Sequence, residues 1–265
     1  SDAVSSSDGA GAGDAGDTAS QADTALQADT SDAEVDTGPS TPFFPGNISG
    51  FDVIDVKVDQ LGAAEIGKTS KTALLYTTVG SKKRIVLYDL AEGEQRVVRL
   101  EKEVRGAISD DRGKTFIVYN EKQPGQIPAS ATPADPEYVA RKYGLTLIDI
   151  DSKAKRLILT DQKPGPAALW SPDKGDSKVY VIFEPPAPMV EQSGPELRDV
   201  IEANLQTFRT RTHRLPSIPE GLGPIRPAEK VFISQRHPQG RMTFIDTTTA
   251  ERQTITGYQL NSKIE

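Results

Sequence analysis

A unit of four short strand-like segments recurs along this chain of 265 residues, and this repeat constrains the fold more than any other feature. The clearest copies are residues 106–121 (GAISDDRGKTFIVYNE) and 168–184 (ALWSPDKGDSKVYVIFE). Each copy runs from an apolar segment through an Asp-containing turn into a second apolar segment, and two further strand-like segments follow. A repeat of this length indicates one supersecondary unit that buries both faces only by stacking on its neighbours.

Four such units are predicted. Their strands are expected at residues 63–66, 73–79, 84–90 and 95–100; 107–109, 115–120, 144–150 and 156–160; 168–171, 179–184, 199–208 and 211–215; and 223–226, 230–235, 241–246 and 252–257. Three of the third strands end on an aspartate (Asp89, Asp149 and Asp246), whose side chain suits the reversal into the fourth strand. The prediction is an all-β fold, a β-propeller of about four complete four-stranded antiparallel blades.

Two strand-like segments flank the four units, residues 51–58 (FDVIDVKV) and 258–264 (YQLNSKI). Strands from both chain ends commonly share one blade of a propeller, which removes exposed sheet edges. A blade built from these two segments would lack its middle strands. The ring is therefore predicted either to be small and closed by these strands, or to be an incomplete part of a larger propeller.

The composition changes sharply after residue 48. Residues 1–48 contain eight Asp, one Glu and neither Lys nor Arg, with very little apolar surface to bury. Such a segment cannot offset the entropy of ordering, so residues 1–48 are predicted to be a disordered acidic linker and residues 49–265 the propeller domain. Removing nine negative charges from the net charge of −7 leaves about +2 on the predicted domain.

Few residues have the arrangement that catalysis requires. The chain has no cysteine, which excludes disulfides and cysteine nucleophiles or metal ligands. Its two histidines, His213 and His237, have no partner at metal-ligand spacing, and no nucleophile elbow or phosphate-binding glycine loop is present. The sequence favours a non-enzymatic protein with no cofactor and no metal.

A propeller enzyme, such as a lactonase-like hydrolase or a cofactor-dependent dehydrogenase, is the alternative. Such enzymes place carboxylates or histidines around the central channel of the ring. The candidates for that arrangement here are Glu65, Glu184, Glu202 and His237. Convergence of these side chains would favour the enzyme.

The Asp-containing turns resemble the repeats of TolB-like and WD-repeat-like bacterial propellers. The residues that carry the resemblance are 170–173 (WSPD) followed by 179–183, and 108–111 (ISDD) followed by 116–119. The corresponding residues of the fourth and first units, 225–228 (IRPA) and 66–69 (IGKT), lack the Asp. The resemblance covers about residues 50–265 and implies a periplasmic protein that binds protein partners.

The acidic Asp/Ala/Thr/Ser/Gly segment resembles the tether behind the lipid-bearing cysteine of bacterial lipoproteins. That cysteine would precede Ser1, and the alternative is an ordinary acidic linker. Together these features predict a binding or scaffold propeller of the bacterial cell envelope, lipid-anchored or secreted, in the periplasm or at the cell surface. We expect a monomer that contacts a membrane only through such an N-terminal anchor.

Two long excursions, residues 121–143 and 185–198, connect the second and third strands of their units. In a propeller these connections share one face, and loops on a rigid scaffold commonly carry function. The candidate binding residues on this face are Lys82, Lys83, Lys122, Arg141, Lys142, Met189, Arg236 and His237. They predict a protein or an anionic envelope component as partner; the alternative is solvated charge at loop tips. Nucleic acid is not expected, because no basic stripe is interleaved with aromatic residues.

Overall fold

The computed structural model describes residues 61–66, 71–77, 83–185 and 195–257. Several predictions made from the sequence lie outside these residues. They are the acidic linker 1–48, the flanking segments 51–58 and 258–264, and the candidates Lys82 and Met189. All four described sheets belong to one compact unit, Val53–Glu265.

Each sheet is a four-stranded antiparallel meander in chain order. Blade 1 consists of β1 (Ala63–Ile66), β2 (Thr72–Tyr76), β3 (Arg84–Asp89) and β4 (Gln95–Arg99). Blade 2 consists of β5 (Val104–Ser109), β6 (Thr115–Asn120), β7 (Tyr143–Asp149) and β8 (Lys155–Thr160), with helix α1 (Pro136–Arg141) between β6 and β7. Blade 3 consists of β9 (Pro164–Trp170), β10 (Lys178–Phe183), β11 (Asp199–Asn204) and β12 (Thr210–Arg214), with a 3-10 turn at Pro195–Arg198. Blade 4 consists of β13 (Pro219–Ile225), β14 (Lys230–Gln235), β15 (Arg241–Asp246) and β16 (Arg252–Thr256), with a 3-10 turn at Arg226–Ala228.

The blades stack face to face through three apolar clusters, one at each junction. Leu74 and Phe116 belong to the cluster between blades 1 and 2, and Leu147 and Val179 to the cluster between blades 2 and 3. Trp170, only 6 % exposed, packs in the third cluster with side chains of blade 4. The first strands of neighbouring blades also touch, β1 with β5 and β9 with β13. This arrangement confirms the β-propeller, and the described residues show no extensive contact that closes blade 4 onto blade 1.

The end of each third strand carries a side chain that accepts hydrogen bonds from the following turn. Asp89 Oδ1 accepts from Ala91 N at 2.8 Å, Asp149 Oδ1 from Ser152 N at 2.6 Å, and Asp246 Oδ1 from Thr249 N at 2.8 Å. These three confirm the predicted Asp turns.

Blade 3 uses an asparagine for the same turn. Asn204 Oδ1 accepts from Thr207 N at 2.8 Å, so β11 ends at Asn204. The prediction that this strand runs to residue 208 is wrong, because Phe208 has a φ of 56° and lies in the left-handed region. Asn and Asp share this ability to bond their own turn, which explains why all four blades reverse alike.

Basic residues at the start of two outer strands hold adjacent blades together. Lys155 Nζ donates to Arg99 O of blade 1 at 2.6 Å, and Arg156 Nη1 donates to Phe208 O of blade 3 at 2.8 Å. Arg252 Nη1 of blade 4 donates to Arg214 O of blade 3 at 2.5 Å. The basic residue that recurs at the start of the fourth strand therefore has a structural role in these blades.

Candidate binding site on the loop face

The connections between second and third strands define what we call the loop face: Lys83, residues 121–142 and residues 236–240. The excursion of blade 2 is the longest of these and contains helix α1. Pro136 occupies the first turn of the helix, where a proline is favourable. Asp135 occupies the N-cap position, but its side chain does not cap the helix. Its Oδ2 accepts instead from Thr132 N at 2.6 Å and Thr132 Oγ1 at 2.9 Å, which lowers the pKa of this carboxyl and fixes the preceding turn.

A buried lysine ties this helix to the blades beneath it. Lys102 lies in the connection from blade 1 to blade 2 and is 1 % exposed. Its Nζ donates to Val139 O at 2.7 Å and to Ala140 O at 2.9 Å, two carbonyls of the last helical turn. Such carbonyls have no partner within a helix, so a basic side chain there stabilises the helix end. Burial, helped by the nearby charge of Lys83, lowers the pKa of Lys102 to about 8.

An open cleft of about 480 Å³ lies between the excursion and blade 1. Its lining residues are Lys83, Gln123, Pro124, Pro136, Glu137, Ala140 and Arg141. The structure thus brings two predicted candidates, Lys83 and Arg141, into one concave surface. Gln123 N donates to Ala140 O at 2.8 Å and so joins two of the three backbone segments that form it, while Leu100 N donates to Lys83 O of the third at 2.8 Å.

The other predicted candidates are distributed over the loop face. Lys122 Nζ lies 5.8 Å from the ring centroid of Tyr143, and Lys142 Nζ lies 5.2 Å from that of Tyr138. Each of these two lysines, at opposite ends of the excursion of blade 2, therefore lies near an aromatic ring.

Arg236 and His237 lie on the connection of blade 4. Arg236 Nε is 2.9 Å from Glu220 Oε1, and His237 Nδ1 accepts from Gln239 N at 3.2 Å. Neither residue lines the cleft between blades 1 and 2.

The charges on the excursion are largely compensated within the molecule. Arg141 Nε lies 3.6 Å from Glu137 Oε2, and Arg141 Nη1 donates to Pro124 O. Lys142 forms an ion pair with Asp161 of the connection from blade 2 to blade 3. Positive and negative groups are therefore paired along this excursion.

Lys102 is not among the residues that the sequence predicts to have a function. A signal was present, because Lys102 lies between Leu100 and Val104, which are 6 % and 2 % exposed, so alternation places all three on the buried side. Its neighbours Glu101 and Glu103 are, however, the sequence context in which a lysine is commonly solvated.

The three glutamates proposed for a central channel lie at three different blade junctions. Glu65 Oε1 accepts from Ser109 N at 3.1 Å, between blades 1 and 2. Glu184 Oε1 lies 3.4 Å from Arg105 Nη1, between blades 2 and 3. Glu202 lies in blade 3 against blade 4, where its partners are His213 and Lys178.

These carboxylates do not converge with His237. Among the residues that the structure describes, no group of three or more His, Cys, Asp or Glu side chains is placed to hold a metal ion. The described part of the chain also contains no helix that is long and apolar enough to cross a membrane.

This chain resembles known proteins in its structure and not in its sequence. The sequence matches no protein-family model and no curated protein sequence. The structure is similar to TolB from Acinetobacter baumannii (10 % identity, TM-score 0.37, covering 75 % of this chain and 44 % of that one). It is also similar to apo AztD from Citrobacter koseri (10 % identity, TM-score 0.45, covering 74 % and 46 %). A third similar structure is the Cps50 (Swd1) β-propeller domain of Myceliophteria thermophila (10 % identity, TM-score 0.38, covering 72 % and 53 %).

The matched region spans about half the length of each of these chains. The four four-stranded antiparallel sheets, stacked face to face, have the architecture of consecutive β-propeller blades.

Proposed function

We propose that this protein is a non-enzymatic, protein-binding β-propeller whose partner docks on the loop face over blades 1 and 2. The observation that carries the proposal is the fixed excursion, which Lys102 holds beside an open cleft of about 480 Å³. Propellers are rigid scaffolds that present loops on a common face, and binding residues concentrate on such loops.

The charge arrangement favours a protein over an anionic polymer as partner. Glu137 and Asp161 lie among the cations of the excursion, so a polyanion would meet repulsion as well as attraction. A protein surface with both charge signs can match such a pattern, which contributes to specificity more than to affinity. Nucleic acid is disfavoured for the same reason.

The proposed location is the bacterial cell envelope, in the periplasm or at the cell surface. Its support is the composition of residues 1–48, which suits a flexible acidic spacer between a lipid anchor and a folded domain. At ~5–6 Å times the square root of its length, such a spacer would reach roughly 35–40 Å. We propose a monomer, with a secreted form as the alternative to a lipid-anchored one.

Site-specific photocrosslinking in the native organism tests this function. A photoreactive residue at Gln126, exposed on the excursion, should give one defined protein adduct. The matched control at Lys174, exposed in the turn between β9 and β10 on the opposite face, should give none. Lys83→Glu should reduce the Gln126 adduct several-fold, whereas Lys174→Glu should not. Equal adducts at both positions, or none at either, would contradict the proposal.

A further inference from the structure

Blade 1 has an apolar face that points away from the other described blades. Through its opposite face the blade packs on blade 2, in the cluster that contains Leu74. The outward side, which we call the end face, carries Ala73, Leu75, Val86 and Val97. Directly paired residues of a sheet share a face, so Leu75, Val86 and Val97 form one apolar row across three strands.

The middle of the end face is nevertheless buried. Val86 is 0 % exposed, Ala73 2 % and Leu75 8 %, whereas Val97 on the outer strand is 40 % exposed. In the described part of the chain, blade 2 is the one blade with which blade 1 has extensive contact. A valine in an open sheet face keeps part of its side chain in water, because its neighbours in the sheet stand beside it and not over it. The cover of Val86 therefore comes from a part of this chain outside the described ranges.

Residues 51–58 (FDVIDVKV) have the pattern that suits this face. Ile54, Val56 and Val58 are apolar at alternate positions, and the residues between them, Asp55 and Lys57, are charged. Such alternation gives a strand one apolar and one solvated face. From Val53 onwards the chain belongs to the same compact unit as the blades.

The spacing along the chain gives residues 53–58 the position of a fourth strand that precedes blade 1. Connections of three or four residues join each fourth strand to the next first strand: 100–103, 161–163 and 215–218. Four residues, 59–62, likewise separate residue 58 from β1. This connection begins with Asp59 and Gln60, as the connection after β8 begins with Asp161 and Gln162. The segment is therefore tethered beside the end face by a connection of the usual length.

We propose that residues 53–58 lie as a strand on the end face of blade 1, with their apolar side chains turned towards Val86. Connections from fourth to first strands lie on the loop face, since Lys102 in one of them binds helix α1. The segment therefore enters from the opposite face, which leaves the loop face open to a partner. This consequence rests on the proposed function, whereas the contact itself does not.

Thiol accessibility tests the contact in the full chain, because the sequence has no cysteine. Val86→Cys places a single thiol at the centre of the end face, and its rate of reaction with a maleimide measures its exposure. We expect protection in the otherwise unchanged chain. Val56→Asp should raise the rate about tenfold or more, because a charge buried without a partner is costly. Lys57→Asp, on the solvated side of the segment, should leave the rate nearly unchanged.

Two further variants exclude other causes of exposure. Leu260→Asp, in the flanking segment 258–264, should leave the Val86→Cys thiol protected. A thiol at Val118→Cys, in the junction of blades 1 and 2, should stay protected in every variant if the sheets remain folded. The proposal is overturned if Val86→Cys reacts freely with no other change, or if Leu260→Asp exposes it and Val56→Asp does not.

A spin label provides a second measurement that needs no destabilising substitution. A nitroxide attached at Lys57→Cys should broaden the methyl resonances of Leu75 and Val86 more than those of Leu147, in the junction of blades 2 and 3. Equal broadening at all three residues, or none, would overturn the proposal. The crosslink at Gln126 reports the loop-face partner by itself, so either proposal can fail while the other stands.

Discussion

Glu202 Oε2 lies 2.6 Å from His213 Nε2, and both side chains are buried on neighbouring strands of blade 3. The second oxygen, Oε1, accepts from Lys178 Nζ at 2.8 Å. Lys178 also donates to Thr247 O of blade 4 at 2.5 Å. The Glu202 carboxylate therefore neutralises the charge of Lys178. This lysine joins blades 3 and 4 inside a junction that is otherwise apolar.

Replacing Glu202 should be costly. Glu202→Gln leaves Lys178 without its counter-charge in a largely buried position, and breaking such a pair typically costs about 3 kcal/mol or more. Equilibrium urea unfolding should show this loss. Glu220→Gln is the control, because Glu220 and Arg236 form an exposed pair and the change should stay within about 0.5 kcal/mol. Similar losses in both variants would mean that the buried network has no special role.

The same carboxyl should make stability depend on acid pH. Burial alone would raise the pKa of Glu202, but the hydrogen bonds from His213 and Lys178 outweigh it and hold the pKa below its ordinary value. The contribution of Glu202 to the free energy of unfolding is therefore fully present above the pKa of a glutamate in the unfolded chain. It is lost as the pH falls through the lower pKa of Glu202 in the folded protein. The difference in unfolding free energy between wild type and Glu202→Gln should shrink from pH 7 towards pH 3. A constant difference would contradict this assignment.

Lys102 should change stability in the same direction with pH, but in the alkaline range. Its pKa is about 8 in the folded protein, against ≈ 10.4 for an unperturbed lysine. Between these values the unfolded state binds more protons, so the free energy of unfolding should rise with pH. Urea unfolding at pH 7.5 and pH 9.5 should show a larger gain for wild type than for Lys102→Met. The exposed Lys122→Met should keep the wild-type gain, and equal gains in all three proteins would show that Lys102 titrates normally.

Arg226 of blade 4 reaches past blade 3 to Asp111 of blade 2. Its Nη2 lies 2.7 Å from Asp111 Oδ2, while Nη1 donates to Ser171 O of blade 3 at 3.2 Å. Because the guanidinium is more than half exposed, a double-mutant cycle with Arg226→Gln and Asp111→Asn should give a coupling of about 0.5 kcal/mol. The coupling should weaken in 1 M NaCl, where charges are screened. A coupling insensitive to salt would indicate that packing, and not charge, links the two residues.

Gly223 in the first strand of blade 4 leaves room for an aromatic ring on the adjacent strand. A Cβ at this position would lie 2.7 Å from Phe232 Cε1, and Phe232 is its direct partner in the sheet. Gly223→Ala should therefore destabilise the protein by about 1 kcal/mol or more. Gly106, in the first strand of blade 2, has nothing within 4 Å of the same position. Thermal unfolding should separate the two variants, with Gly106→Ala close to wild type; the reverse order would exclude overpacking as the cause.

The sequence by itself determined the blades. The strands predicted at 115–120, 230–235 and 241–246 have the observed bounds, because alternating apolar residues and turn-forming Asp act over a few neighbouring residues. The first strands of blades 2, 3 and 4 begin earlier than predicted, whereas β1 has its predicted bounds. β9 and β13 begin at Pro164 and Pro219, which a sheet tolerates because each is the first residue of an edge strand.

Only the tertiary structure decided which charges meet. Asp111 and Arg226 are 115 positions apart, and the partners of Lys142 and Glu184 likewise lie on other connections or other blades. The sequence named candidate cations for the loop face, but it could not pair them with Glu137 and Asp161, nor bury Lys102 beneath a helix. Local patterns fix a strand through its own backbone, whereas the partner of a side chain depends on how whole sheets pack.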